Sequence, residues 1–373
     1  MDSLRIAENV VRLRKQKGVT QEEMADFLGV TKASVSKWEN KQSMPDIIML
    51  PALASYFDVT VDELLGYEPQ LSKEQIRKIY YELGKEFAEK PFEETYAKSE
   101  ALVKKYYSCY PFLFQICVLW MNHFMLAQEA ERQSAVLVRV QELCDHILEN
   151  CKDAGINSDT IVMRATVDLQ CGRAKEVIEG IGNLANPNRI VNQSEGMLIQ
   201  AYLLSDDREK AEEFTQICMY LHLQMLVGDS IQLLGMHMQE KELCETTIVR
   251  TDKVIEAYRM GEVHRNITAA YQYQTAVFKS MHGEKEEALK RLRSFVEIVC
   301  IMMREESFLH GDSYFTKLDD WFENMDLGVQ MVRSKKLVLE GAKENLKHPA
   351  FDSIRKEKEF AGLEKLLAAW IPD

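Results

Sequence analysis

The chain has 373 residues, 46% of them hydrophobic and 28% charged, which is long enough for two or three globular domains and too apolar for a disordered polymer. Its net charge of −13, taken whole, argues against a nucleic-acid binder. The first 67 residues carry 8 Lys and Arg against 10 Asp and Glu, and the remainder 38 against 49, so most of the acidity lies in the larger part.

In chain order, residues 3–17 read as an amphipathic helix with Ile6, Val10 and Leu13 inward and Arg12, Arg14, Lys15 and Lys17 outward, stopped by Gly18. Met1, Asp2 and Ser3 lead straight into it, so no signal peptide is expected and the protein is assigned to the cytoplasm. The stretch Thr20–Lys41 follows as two short helices joined by a tight turn. Thr20 and Glu23 have the spacing of a capping box, and Gly29 suits the left-handed end of the first helix. Thr31 is placed to cap the second helix, in which Val35 and Trp38 point one way. Lys32, Ala33, Ser36, Lys37 and Asn40 share the other face, small, hydroxylic and basic enough for a major groove. With Lys41 and the cations of the first helix they would make a local basic patch.

The segment T-Q-E-x-x-A-x-x-L-G-V-T-x-x-[ST]-[IV]-S-x-W-E-N closely resembles the Cro/repressor (Xre-type) DNA-binding domains over about residues 3–66. That resemblance implies an all-α, five-helix bundle that binds an inverted-repeat operator in double-stranded DNA as a homodimer. It implies that Gln21 touches phosphate, that Lys32, Ala33, Ser36 and Lys37 face base edges, and that Ser34, Asn40 and Lys41 serve the backbone beside the cap Thr31. This chain departs from the family in one place: Lys41 stands where a glycine is usual. If that position needs a positive φ, the cost is about 1 kcal/mol, which a nearby phosphate would have to offset.

Beyond a loop with Pro45, Pro51 fits the first turn of a helix running to about Phe57, and Thr60 with Glu63 forms a second capping box that closes at Gly66. The domain is drawn as 1–67, with a linker at 68–72 containing Pro69, and a larger domain at 73–373. That domain reads as helical throughout, with breaks near Pro91, Pro111, Gly155, Gly172, Pro187, Asp206, Gly228, Gly261, Gly283, Gly311, Gly328 and Pro349. The stretch 111–127, interrupted by Gln115, Asn122 and His123, is too short and polar for a membrane span.

The hairpins around Gly172, Asp206 and Gly283 align with one another. Each turn residue has Val177, Ala211 or Ala288 five positions later and Ala165, Ile199 or Ala276 seven before. The first two turns are 34 residues apart and the third falls near twice that period beyond, which resembles the tetratricopeptide repeat and implies a right-handed α-superhelical domain. The end, from His348 through Phe360, resembles the cap that closes such arrays. The eight cysteines form no C-x-x-C and read as core filler. The 18 Met, most of them after residue 120, suit either core filling or a pliable apolar groove.

No phosphate loop, dinucleotide fingerprint, zinc-protease or nucleophile-elbow motif occurs, and His123, His146, His222 and His237 are scattered. No catalytic site, metal or cofactor is expected. A DNA-binding head on a large helical domain resembles the peptide-sensing regulators of Gram-positive bacteria (the Rgg/PlcR group), in which a short signalling peptide on the concave face changes how two heads are held. The repeat alignment projects Gln193, Gln200 and Tyr273 onto that face, with Asn122 as a further amide in an apolar helix. Two readings stay open beside it: a constitutive repressor or DNA-tethered scaffold whose array holds a partner protein, and an antitoxin-type autoregulator.

Overall fold

The structure, a computed structural model, describes residues 5–67, 70–182, 194–304 and 309–370, and every regular element among them is helical. The chain forms two compact units: Met1–Ser72 with Ala101–Leu113, and Lys73–Glu100 with Phe114–Asp373. The sequence assigns 101–113 to the larger domain, whereas the structure places it with the first unit. There Gln70 Nε2 donates to the Ser108 carbonyl at 3.1 Å and the Leu71 amide to Cys109 Sγ at 3.4 Å. Glu68 and Pro69 of the expected linker lie outside the described residues.

The first unit opens with α1 (Ile6–Lys17), α2 (Gln21–Leu28), α3 (Lys32–Glu39), α4 (Leu50–Phe57) and α5 (Val61–Leu65). Both capping boxes form, Thr20 with Glu23 and Thr60 with Glu63, so α2 and α5 start where local chemistry says they should. Pro51 sits in the first turn of α4, where its missing N–H costs nothing. The inward stripes of the helices meet in one core of Ile6, Val10, Leu13, Met24, Val35, Trp38, Leu53 and Leu64.

The second unit is built from α6 (Lys73–Glu89), α7 (Phe92–Lys105), α8 (Tyr110–His123), α9 (Ala130–Asn150) and α10 (Ala154–Gln170); two of these helices, α7 and α8, also run into the first unit. It continues through α11 (Ala174–Ile181), α12 (Ser194–Leu204), α13 (Arg208–Met236), α14 (Lys241–Ala257) and the single turn α15 (Met260–Val263). It ends with α16 (Arg265–Met281), α17 (Lys285–Arg304), α18 (Leu318–Asn324), α19 (Lys335–Asn345) and α20 (Lys358–Ala368). The three aligned turns share one backbone geometry: Gly172, Asp206 and Gly283 stand at φ 72°, 61° and 76°. They join α10 to α11, α12 to α13 and α16 to α17. Val177, Ala211, Ala288, Ala165 and Ala276 are buried behind them, and Ile199 is half-buried.

Other expectations need correcting. No break occurs at Gly228, because α13 runs through it for 29 residues, with Ile267 packed 4.0 Å from where a Cβ would stand. A glycine inside a helix costs only about 1 kcal/mol, which neighbouring helices offset here. Cysteine is core filler at seven positions, but Cys171 is exposed. The stretch 111–127 is too short for a membrane span, as expected; among the described residues it is α13 that is long and apolar enough by length and composition.

Candidate nucleic-acid interface

Thr20 Oγ1 accepts the Glu23 amide at 3.2 Å while Glu23 Oε2 accepts the Thr20 amide at 2.7 Å, which fixes the start of α2. Gly29, at φ 67°, ends it, and Thr31 Oγ1 accepts the Ser34 amide at 3.1 Å to begin α3 three residues later. Val35 and Trp38 are buried beside Met24 and Ala25, so packing fixes the rotation of α3 about its own axis. Thr31, Lys32, Ala33, Lys37 and Asn40 are therefore exposed together, with Ser34 and Ser36 half-buried between them. The expected base-reading residues share one solvent face.

Charge on that face is only loosely committed. Lys32 Nζ lies 3.1 Å from Glu22 Oε2 with both groups mostly in water, a pairing that phosphate can replace at little cost. Lys37 has no acidic partner among the described residues. Asn40 Nδ2 donates to Ser36 Oγ at 3.3 Å. Lys41 does take a positive φ, 60°, and its Nζ reaches Glu8 Oε1 at 2.8 Å. That hydrogen bond holds the Glu8 carboxyl below the usual carboxylate range.

Two cations assigned to the outer patch are used internally. Arg14 is only 15% exposed and grips Glu39, with Nε at 2.6 Å and Nη2 at 3.0 Å, while its Nη1 donates to the Val19 carbonyl. Lys17 donates to the Tyr56 carbonyl at 2.6 Å and sits over that ring. Gln21 gives its Nε2 to Glu39 Oε2 at 2.8 Å, which holds the side chain at the first turn of α2. Burial works to raise the Glu39 carboxyl, but the hydrogen bonds from Arg14 and Gln21 outweigh it and leave the group below the ordinary range. The sequence reading missed this brace; its signal was a lone acid on the inner side of a helix whose other face is basic. It also passed over Met44, Ile47 and Ile48, apolar residues that stand exposed just beyond α3.

The effector candidates are not brought together. Asn122 lines a cavity of about 840 Å³ in the second unit, and neither Gln200 nor Tyr273 does. Gln200 is exposed on α12. The Tyr273 ring packs between Phe295, His348 and Phe351. Gln193 lies outside the described residues. Among the described residues no three His, Cys, Asp or Glu side chains converge as a metal site.

Comparison with known proteins agrees with this geometry. The helix-turn-helix family pattern matches residues 11–64. The chain is 34% identical over 79 residues to the HTH-type transcriptional activator BcrR of Enterococcus faecalis, covering 20% of this chain and 39% of that protein. It is 38% identical over 63 residues to the HTH-type transcriptional regulator AnsR of Bacillus subtilis, covering 17% of this chain and 54% of that one. With the SPbeta prophage-derived uncharacterized HTH-type transcriptional regulator YonR of Bacillus subtilis it shares 33% identity over 104 residues, 22% of this chain but 96% of that regulator. No solved structure matches the chain. The cap-turn-cap geometry of residues 20–40 and the nearly complete coverage of a small regulator point the same way: this chain belongs to the helix-turn-helix family of transcriptional regulators.

Proposed function

We propose that the protein controls transcription by binding an inverted-repeat operator as a homodimer, with the second unit taking up a small effector, foremost a short signalling peptide. The observation that carries the DNA-binding half is the exposed face of α3, Lys32, Ala33, Lys37 and Asn40, set by buried Val35 and Trp38. One such helix reads too few base pairs for useful specificity, so two heads on a two-fold site are required. In this reading the hairpins at Gly172, Asp206 and Gly283 belong to a tetratricopeptide-like superhelix. Control then needs differential affinity: the effector binds one arrangement of the two heads better than the other. The reading assigns the protein to the cytoplasm, with the chromosome, and gives it no catalytic activity.

Selection of bound fragments from genomic DNA by the full chain at moderate salt tests the first half. Recovery of one two-fold motif supports it, and recovery without sequence preference sinks it. A partner protein in place of a small effector is favoured by one observation, Leu204 standing 88% exposed at the Asp206 hairpin. Mass spectrometry of peptides retained by the full chain from culture supernatant separates the two, because the partner reading predicts that none is retained.

A further inference from the structure

We propose that the cavity of the second unit binds an apolar molecule carrying a carboxylate and a hydrogen-bond donor, and that α6 reads its occupancy. This rests on the reading that the second unit takes an effector. The walls come from α8, α16, α17, α19 and the loop 325–333. Val118, Val299, Met302, Met331 and Val338 make them mostly apolar, and about 840 Å³ is the size of a small-molecule site. Methionine at such walls lets the cavity adapt to the shape of its occupant.

One polar group in this lining has an unmet need, and a second, the exposed Arg333, is open to a ligand. Gln115 is 6% exposed; its Nε2 donates to Asp326 Oδ2 at 3.2 Å, and its Oε1 is buried with no partner among the described residues. Folded proteins rarely leave a buried acceptor unpaired, and a ligand N–H or O–H would satisfy it. Arg333 donates its Nε to Asn122 Oδ1 at 3.1 Å, and its terminal nitrogens have no hydrogen-bond partner among the described residues. A guanidinium fork is the group best shaped for a carboxylate. The acid in the lining, Asp326, pairs in water with Lys73 Nζ at 3.3 Å, which leaves Arg333 as the lining charge with no acidic partner among the described residues. A hydroxylated fatty acid has this chemistry, and so does the C-terminal end of a short apolar peptide.

The loop that walls the cavity is held from the other side by α6. Arg77 Nη2 donates to the carbonyls of Glu323 at 3.0 Å and Met325 at 2.6 Å, and its Nε to that of Asp326 at 3.2 Å. Tyr81 donates to the Leu327 carbonyl at 2.7 Å and Tyr80 to that of Val332 at 3.0 Å. A ligand that shifts this loop must therefore shift α6 or break these bonds. α6 begins at Lys73, the point where the chain leaves its first 72 residues.

Calorimetry on the full chain tests this with 3-hydroxydodecanoate, its methyl ester, an apolar pentapeptide with a free carboxylate, and the same peptide amidated. At least one acid should bind one to one, with its neutral derivative weaker by about tenfold or more. Whichever acid binds identifies the source. Gly341 lines the cavity and a Cβ there meets nothing within 4 Å, so Gly341→Leu should keep native circular dichroism and lose binding. Arg333→Gln should erase the preference for acid over neutral form, and bound ligand should slow hydrogen exchange in residues 73–89. Binding by neither acid, equal binding of acid and neutral form, or unchanged binding by Gly341→Leu overturns the proposal. A peptide from the native host that alters operator binding equally in wild type and Gly341→Leu would overturn this cavity while leaving effector control standing. Cavity binding that never alters operator affinity would instead count against effector control.

Discussion

Arg14 and Glu39 lock together in a bidentate pair, 2.6 and 3.0 Å, that joins the last turn of α1 to the end of α3. Gln21, the first residue of α2, donates to the same carboxylate. One acid thus collects three helices, and the exposed face of α3 is positioned by a contact it does not itself display.

Breaking that pair should loosen the head. Glu39→Gln leaves a guanidinium that is mostly out of water without its partner, at a cost of about 2 kcal/mol. The same contact carries a pH dependence. The folded-state pKa of Glu39 lies below its unfolded value, so its stabilisation is complete above the unfolded pKa, about 4.3, and fades as pH falls through the folded one. Protection of residues 6–39 in the full chain, the chemical exchange rate at each pH divided by the observed one, should fall on lowering pH below about 4, and Glu39→Gln should be poorly protected already at pH 7. Equal protection in variant and wild type at pH 7 would show the brace to be idle.

Lys41 holds a left-handed backbone that glycine adopts without strain. Lys41→Gly should therefore stabilise the head by about 1 kcal/mol, reduced by the loss of a solvent-screened pair with Glu8. DNA affinity should move the opposite way, because a cation is removed from the expected phosphate track. Urea denaturation and fluorescence anisotropy on the operator separate the two effects. A variant that is less stable than wild type would mean that Glu8 contributes more than the backbone strain costs.

Substitutions on α2 and α3 should divide by role. Lys37→Ala should cost about 1–3 kcal/mol on the best operator and relax preference at one base position. Gln21→Ala should weaken binding evenly across sequences, since a residue fixed at the first turn of α2 positions the head without reading a base. Affinity measured across a set of single-base operator variants distinguishes the patterns, and an even loss for Lys37→Ala would assign it to the backbone.

Local chemistry was legible in the sequence, and long-range packing was not. The capping boxes at Thr20 and Thr60 and the left-handed turns at Gly172, Asp206 and Gly283 each depend on a few adjacent residues, and all stand where spacing placed them. The break between α8 and α9 went unseen because Phe124–Glu129 holds no glycine or proline. Gly228 misled in the opposite sense, since one glycine costs a packed helix only about 1 kcal/mol and α13 runs through it. Arg14 looked like a surface cation because its partner lies 25 residues away on another helix. The cavity was out of reach for the same reason: Asn122 and Arg333, which meet in its lining, are 211 residues apart, and no periodicity links them.

The loop between α18 and α19 offers a last test, one that involves no ligand. Gly328 stands at φ +64°, and a Cβ there would lie 3.1 Å from Arg77 Cζ and 3.2 Å from its Nη1. Gly328→Ala meets two penalties: about 1 kcal/mol for the left-handed backbone, and a displaced guanidinium whose bonds to the Met325 and Asp326 carbonyls must lengthen. Together they should cost about 2–3 kcal/mol and lower the unfolding temperature of the full chain. Gly362→Ala is the matched control, a helical glycine whose Cβ meets nothing within 4 Å, and should raise stability by up to about 1 kcal/mol. Hydrogen exchange localises the effect, with faster exchange expected in residues 73–89 for the first variant alone. If Gly328→Ala unfolds with wild-type temperature and protection, Arg77 has room to give way and the loop is not clamped to α6.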